Sequence, residues 1–142
     1  MSPVETIIRF AHAAPARRAL LIEAAWNLAG ARAAIVWLPF RRAVRIGAVP
    51  LARAAKGEVG ALVDAIEVVA ARVPWLSVCF DRGLALQRAL RRRGHDARLH
   101  YGLSAPGSDA FDAHVWVELE GRILIGAEEA VGRHPVAVFP AD

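Results

Sequence analysis

The sequence predicts an α+β fold, with helices first and a small antiparallel sheet after them. Three observations lead there. Apolar residues recur at helical spacing up to about position 93, the period changes to two after Gly94, and tight-turn signals separate the alternating segments that follow. With 142 residues, 56% of them hydrophobic, the chain can bury one core, so residues 1–142 are expected to form a single domain. It divides into an N-terminal helical region, 1–58, and a core region, 59–142.

Ala, Leu, Arg and Glu dominate the first 40 residues, and Leu21, Ala24, Ala25, Leu28 and Arg32 fall at helical spacing. Pro39 and Pro50 bracket a short basic connector containing Arg41, Arg42 and Arg45. Leu62, Ile66, Val69 and Ala70 mark a helix over 60–72 that Pro74 ends. Ser77 suits the N-cap of the next helix, 78–93, whose apolar stripe is Ala85, Leu86, Ala89 and Leu90. Gly94 fits the left-handed residue after a helix. Arg91, Arg92 and Arg93 read as helix-end stabilisation plus a solvated face, in preference to a nucleic-acid surface.

Beyond Gly94, Ala97, Leu99, Tyr101 and Leu103 alternate with Arg98, His100 and Gly102, as in a half-buried strand. Residues 104–109, with Pro106 and Gly107, read as a turn. In the next strand Ala113, Val115, Val117 and Leu119 share one face, and His114, Trp116 and Glu118 the other. Glu120-Gly121 signals a tight turn into a returning strand, 122–126, and 136–139 is a last strand. The sheet is expected to be an antiparallel meander.

The net charge is +4 and the pI about 10.5, carried almost wholly by scattered arginines. Charge alone does not choose among RNA, anionic lipid and acidic peptide, and no nucleic-acid partner is expected. The segment 19–40 has only Glu23, Asn27 and Arg32 as strongly polar residues and approaches the length of a membrane span. Those interruptions argue against insertion, because a charge at the bilayer centre costs about 2.5–3.5 kcal/mol. The small residues 11–16 precede the apolar stretch, whereas a signal-peptide cleavage site would follow it. The segment is therefore expected to pack in the domain or against a partner, membrane contact being the less favoured reading. A single cysteine excludes an internal disulfide and a Cys-based zinc site, and its free thiol suits a cytoplasmic location. No metal or cofactor is expected.

The chemistry concentrates on two residues. Cys79 falls in the first turn of its helix, where unpaired backbone N–H groups and the dipole favour a thiolate and can hold an oxyanion; Asp81 works against the thiolate. His114 lies on the polar face of a strand that can return across that helix start and serve as base, then acid. His12, His95, His100 and His134 have no comparable context and read as surface residues.

The stretch VPWLSVCFDRGLALQRALRRRGHDARLHYGL followed by FDAHVWVELEGRILIG resembles the transglutaminase-like cysteine peptidases of lasso-peptide biosynthesis. More narrowly, it is similar to the stand-alone leader-peptidase half of the split lasso maturation B protein. The matching features are Pro74-Trp75 before Cys79, a helix ending in Arg91, Arg92, Arg93 and Gly94, and His114 in a His-x-Trp-Val-Glu strand with Trp116, Val117 and Glu118. The N-terminal Leu38-Pro39-Phe40-Arg41-Arg42 is also similar, so the likeness covers nearly the whole chain.

The resemblance implies a transglutaminase/papain-like core over 59–142 in which Cys79 and His114 remove the leader from a ribosomally made lasso precursor. It implies a small leader-recognition protein and an ATP-dependent macrocyclase as partners, the hydrophobic N-terminal region being one candidate docking surface. It also implies an acidic residue about twelve positions after the histidine, where this chain has Gly126. With an unbulged two-residue turn Ala127 would face His114. Strand parity then favours Glu129 as the group that orients the imidazole, a bulge favours Glu128, and Asp112 is a weaker candidate. Trp116 and Tyr101 are candidates for a substrate pocket, and a threonine as penultimate leader residue is implied. Two other readings keep the same residues: acyl transfer to an amine, or a non-catalytic peptide-binding scaffold.

Overall fold

The computed structural model describes residues 2–53, 57–75, 79–104, 113–131 and 133–141. The elements are α1 (Pro3–His12), α2 (Pro15–Trp37), α3 (Phe40–Gly47), α4 (Val59–Ala70), α5 (Cys79–Arg92), β1 (Arg98–Ser104), β2 (Ala113–Leu119), β3 (Arg122–Ile125), α6 (Ala127–Ala130) and β4 (Arg133–Phe139). The fold is α+β, as the change of period predicts.

Prolines punctuate the helical third. Ser2 caps α1 in a reciprocal box with Glu5, and Pro3 opens that helix. Pro15 opens α2, because proline fits a first helical turn and cannot continue a preceding one. The expected basic connector is instead a helix, α3. Pro39 sits at its N-cap, and Phe40, Ala43, Val44 and Gly47 recur at three and four, burying all but the first. The charge of Arg41, Arg42 and Arg45 obscured that stripe.

Helix α5 is the centre of the molecule, packed against α2, α3, α4, β1 and β2. Leu84, Leu86 and Leu90 are fully buried there with Ala24 and Leu28 of α2, Leu62 and Ile66 of α4, and Leu99 and Val117 of the sheet. Gly83 permits the close approach, since a Cβ at that position would stand 2.9 Å from Leu99 Cδ1 and 3.3 Å from Val115 Cγ2. The helix ends as expected, with Gly94 at φ +85°; Ser77 lies outside the described residues.

The arginines at the end of α5 are not a solvated face. Arg91 is buried and donates through Nε to Val49 O (2.7 Å) and through a terminal nitrogen to Asp96 (2.7 Å) and Ala97 O (3.3 Å). Arg93 grips both carboxylate oxygens of Glu23 on α2, which raises its pKa, the hydrogen bond outweighing partial burial. Only Arg92 is exposed.

The sheet is antiparallel in the order β3-β2-β1-β4. Strands β1 to β3 form the expected meander. The last strand departs from it: β4 crosses back to pair with β1 and begins at Arg133, earlier than expected. Gln87 of α5 fastens it, donating from its amide to Phe139 O (2.7 Å) and Ala97 O (3.3 Å).

Arg91→Met should lower stability by about 1–3 kcal/mol in urea unfolding, because it strips the partly buried Val49 carbonyl of its donor and leaves the Ala97 carbonyl with Gln87 alone. A change under 0.5 kcal/mol, within the usual range of surface substitutions, would mean those ties are dispensable.

Candidate active site

Cys79 is the first residue of α5 and is half-buried. Strand β2 begins at Ala113, so His114 stands at the end of the sheet beside that helix start. The two side chains meet there: Cys79 Sγ lies 3.8 Å from His114 Nδ1. In a neutral pair the thiol donates to Nδ1; after proton transfer the imidazolium donates to the thiolate. The first amides of α5 have no carbonyl four residues back in the helix, which leaves donors at the same spot.

Asp81 is fully buried and accepts hydrogen bonds from Trp75 Nε1 (3.2 Å) and the Arg82 amide (2.8 Å). Its carboxylate ties the Pro74-Trp75 segment to the start of α5, close to Cys79. The neighbouring Arg82 guanidinium reaches Glu67 of α4 at 3.3 Å.

The strand that returns past His114 carries a bulge. Val117 pairs with Ile125 and Glu118 with Ile123, leaving Leu124 extra. That slip brings Gly126 against Trp116, where a Cβ would stand 3.0 Å from Trp116 Cα and 2.8 Å from Val115 O, with φ at +83°. A side chain is strained at 126 on both counts. The chain then turns into α6, so strand parity, which favoured Glu129, does not continue to that position. Glu128 is exposed and makes no hydrogen bond or ion pair among the described residues. The Glu129 side chain and Asp112 lie outside the described residues.

The two pocket candidates occupy opposite faces of the sheet, because Tyr101 pairs with Val115 while His100 pairs with Trp116. Trp116 is 5% exposed and covers Gly102, where a Cβ would meet its ring at 2.7 Å. His100 is not a bare surface residue: it stacks on Trp116, with ring centroids 5.7 Å apart, and approaches Glu118 at 3.3 Å. On the other face Tyr101 meets Phe40 edge-on at 5.3 Å, and Phe40 also contacts Phe80 and Phe139, both at 5.8 Å. Phe80 follows Cys79 directly. Residue reading missed this cluster and the His100 stack; the hairpin register and the stripe within α3 were the signals for them.

An open apolar groove of about 780 Å³ runs between α1, α2 and the end of α4. It contains neither Cys79 nor His114 and approaches them only through Trp75. Among the described residues no group of three His, Cys, Asp or Glu side chains could hold a metal ion.

A cysteine thiol facing an imidazole at the start of a core helix, with an antiparallel sheet supplying the imidazole, is the arrangement that acyl transfer through a cysteine nucleophile requires. The family model that describes the Transglutaminase-like superfamily matches residues 18–138, and the chain belongs to that superfamily. Its domain is of the kind that carries cysteine-peptidase or acyl-transfer activity. No curated protein and no solved structure gives a significant match.

Iodoacetamide should modify Cys79, and His114→Ala should slow that reaction about tenfold at neutral pH, followed by intact-protein mass. Equal rates would show that the imidazole leaves the thiol unactivated. Asp81→Ala should cost about 1–3 kcal/mol in chemical unfolding, because the indole N–H loses its buried acceptor; an unchanged midpoint would deny Asp81 that role.

Proposed function

We propose that the protein is the leader peptidase of a lasso-peptide maturation system. The observation that carries the chemistry is the 3.8 Å approach of Cys79 Sγ to His114 Nδ1 at the start of α5. The motifs around both residues, from Pro74-Trp75 to His114-x-Trp116, support the narrower assignment.

In this reading His114 takes the Cys79 proton and the sulfur attacks the carbonyl carbon of the last leader residue. Amides at the start of α5 hold the oxyanion. The imidazolium then protonates the departing nitrogen, which leaves as the amino terminus of the core peptide, and a thioester remains on Cys79. Water, deprotonated by His114, attacks the thioester, and the thiol returns with release of the leader carboxylate. The freed amine is the group that a partner macrocyclase would join to a side-chain carboxylate. Capture of the leader falls to a small recognition protein, and the reaction needs no metal or cofactor.

The superfamily supports a second outcome for the same thioester, attack by an amine to form a new amide. The products differ in mass: hydrolysis adds water, and acyl transfer adds the amine.

A lasso-type precursor incubated with the protein and its leader-binding partner should be cut once, at the leader–core junction. Cys79→Ala should abolish the cut, and His114→Ala should slow it about 10²–10⁴-fold. Undiminished cutting by Cys79→Ala would remove the mechanism, and no cutting under any partner combination would leave the scaffold reading.

A further inference from the structure

The outer face of α2 has no role in the site just described. Ala19, Ile22, Trp26, Ala29, Ala33 and Trp37 recur at three and four, forming one line about 27 Å long with no polar side chain on it. Trp26 and Trp37 are 81% and 79% exposed, and Ile22 and Val36 beside them are more than half exposed. Two wide-open tryptophans about 16 Å apart on one ridge are uncommon on a freely soluble surface.

The opposite side of α2 is committed to the core. Ala24, Leu28 and Ala31 are buried against α4 and α5, and Glu23 is held by Arg93. Although α2 is long and apolar enough to cross a bilayer, leaving the protein would uncover that face. Only a pose parallel to a surface covers the ridge and keeps the core intact.

Charge is distributed to match. Residues 1–47 hold seven arginines and two glutamates, a surplus of five, while the whole chain is +4, so the other 95 residues are net −1. Both glutamates are engaged, Glu5 in the α1 capping box and Glu23 by Arg93. Arg17 is paired with Asp64, and Arg18 and Arg32 are half-buried; the exposed cations are Arg9 near one end of the ridge and Arg41, Arg42 and Arg45 beyond the other. The three at the far end follow Trp37 and Leu38 closely in the chain.

We propose that the α2 ridge seats the protein on an anionic membrane surface, Trp26 and Trp37 entering the interfacial layer while Arg41, Arg42 and Arg45 meet lipid phosphates. Tryptophan favours that layer because its ring is apolar and its N–H still reaches water or headgroups. The shape agrees: a protein partner would need a groove to receive a convex ridge, and a bilayer needs none. The attachment is peripheral and independent of Cys79 chemistry.

Sedimentation with vesicles tests it, using phosphatidylcholine alone and an equal mixture with phosphatidylglycerol. Wild type should bind the mixed vesicles and release as salt rises. Trp26→Ala/Trp37→Ala should weaken binding about tenfold or more; alanine keeps helix propensity, and an unchanged helical spectrum and Cys79 alkylation rate verify the fold. Arg41→Gln/Arg42→Gln should weaken binding to the mixed vesicles about fivefold for each arginine removed, with little change on phosphatidylcholine. Absence of binding to mixed vesicles at low salt would overturn the proposal, as would binding that the double tryptophan variant retains in full. If wild type instead self-associates in ultracentrifugation and only the tryptophan variant is monomeric, without vesicle binding, the ridge serves a second copy and the proposal fails.

Discussion

Enclosure of α5 is the constraint on which the rest of the molecule depends. A helix surrounded by α2, α3, α4 and two strands cannot tilt or slide without opening the core at several places. Each fully buried leucine on it, Leu84, Leu86 and Leu90, contributes about 1.5–3 kcal/mol by leaving water. The functional gain is at the end of the helix. Cys79 packs at the margin of the core, half-buried, and Asp81, Gly83 and Leu84 behind it are fully enclosed, so the thiol is positioned without being sealed from solvent.

His114 is positioned by a different route, through the register of β2 on β1 and the contact of β2 with α5. Val115 and Val117 touch α5 through the space that Gly83 leaves, and this contact sets where the strand's first residues lie. The thiol and the imidazole therefore belong to separate elements whose relative placement is a property of the core. Asp81 and Trp75 add a local brace on the thiol side, and the Phe40 cluster adds a second from α3.

Periodicity made the α+β order legible, along with α4, α5 and the β1–β3 hairpins, because those segments bury one face and expose another. Cys79 and His114 were legible for a related reason: a helix start and a polar strand face are both recognisable locally. Three features were not. Helix α3 was hidden because its buried positions are interleaved with arginines. The place of β4 beside β1 depends on a crossing that no local pattern encodes. The bulge at Leu124 could not be placed from the Glu120-Gly121 turn alone, so the count left two cases open, and the bulged one, which favours Glu128 over Glu129, is the one the strand adopts. The bracing role of Asp81 was not legible either, since its donors are an indole N–H six residues before it and the next backbone amide.

The crossing of β4 has a consequence for how the chain comes into existence. During synthesis from the amino end, α1 to α5 can gather before any strand is available, and β1 to β3 can follow as neighbours in sequence, joined by eight and two residues. One side of β1, however, waits for residues 133–139, whose partners lie 29 (Ser104 with Arg133) to 40 (Leu99 with Phe139) positions earlier. Until they are made, the backbone donors and acceptors along that side have no partner within the chain and offer a template to any extended peptide nearby. The interval in which this edge stands open therefore runs from the synthesis of β1 to that of β4, and Cys79 and His114 have both been made before it closes.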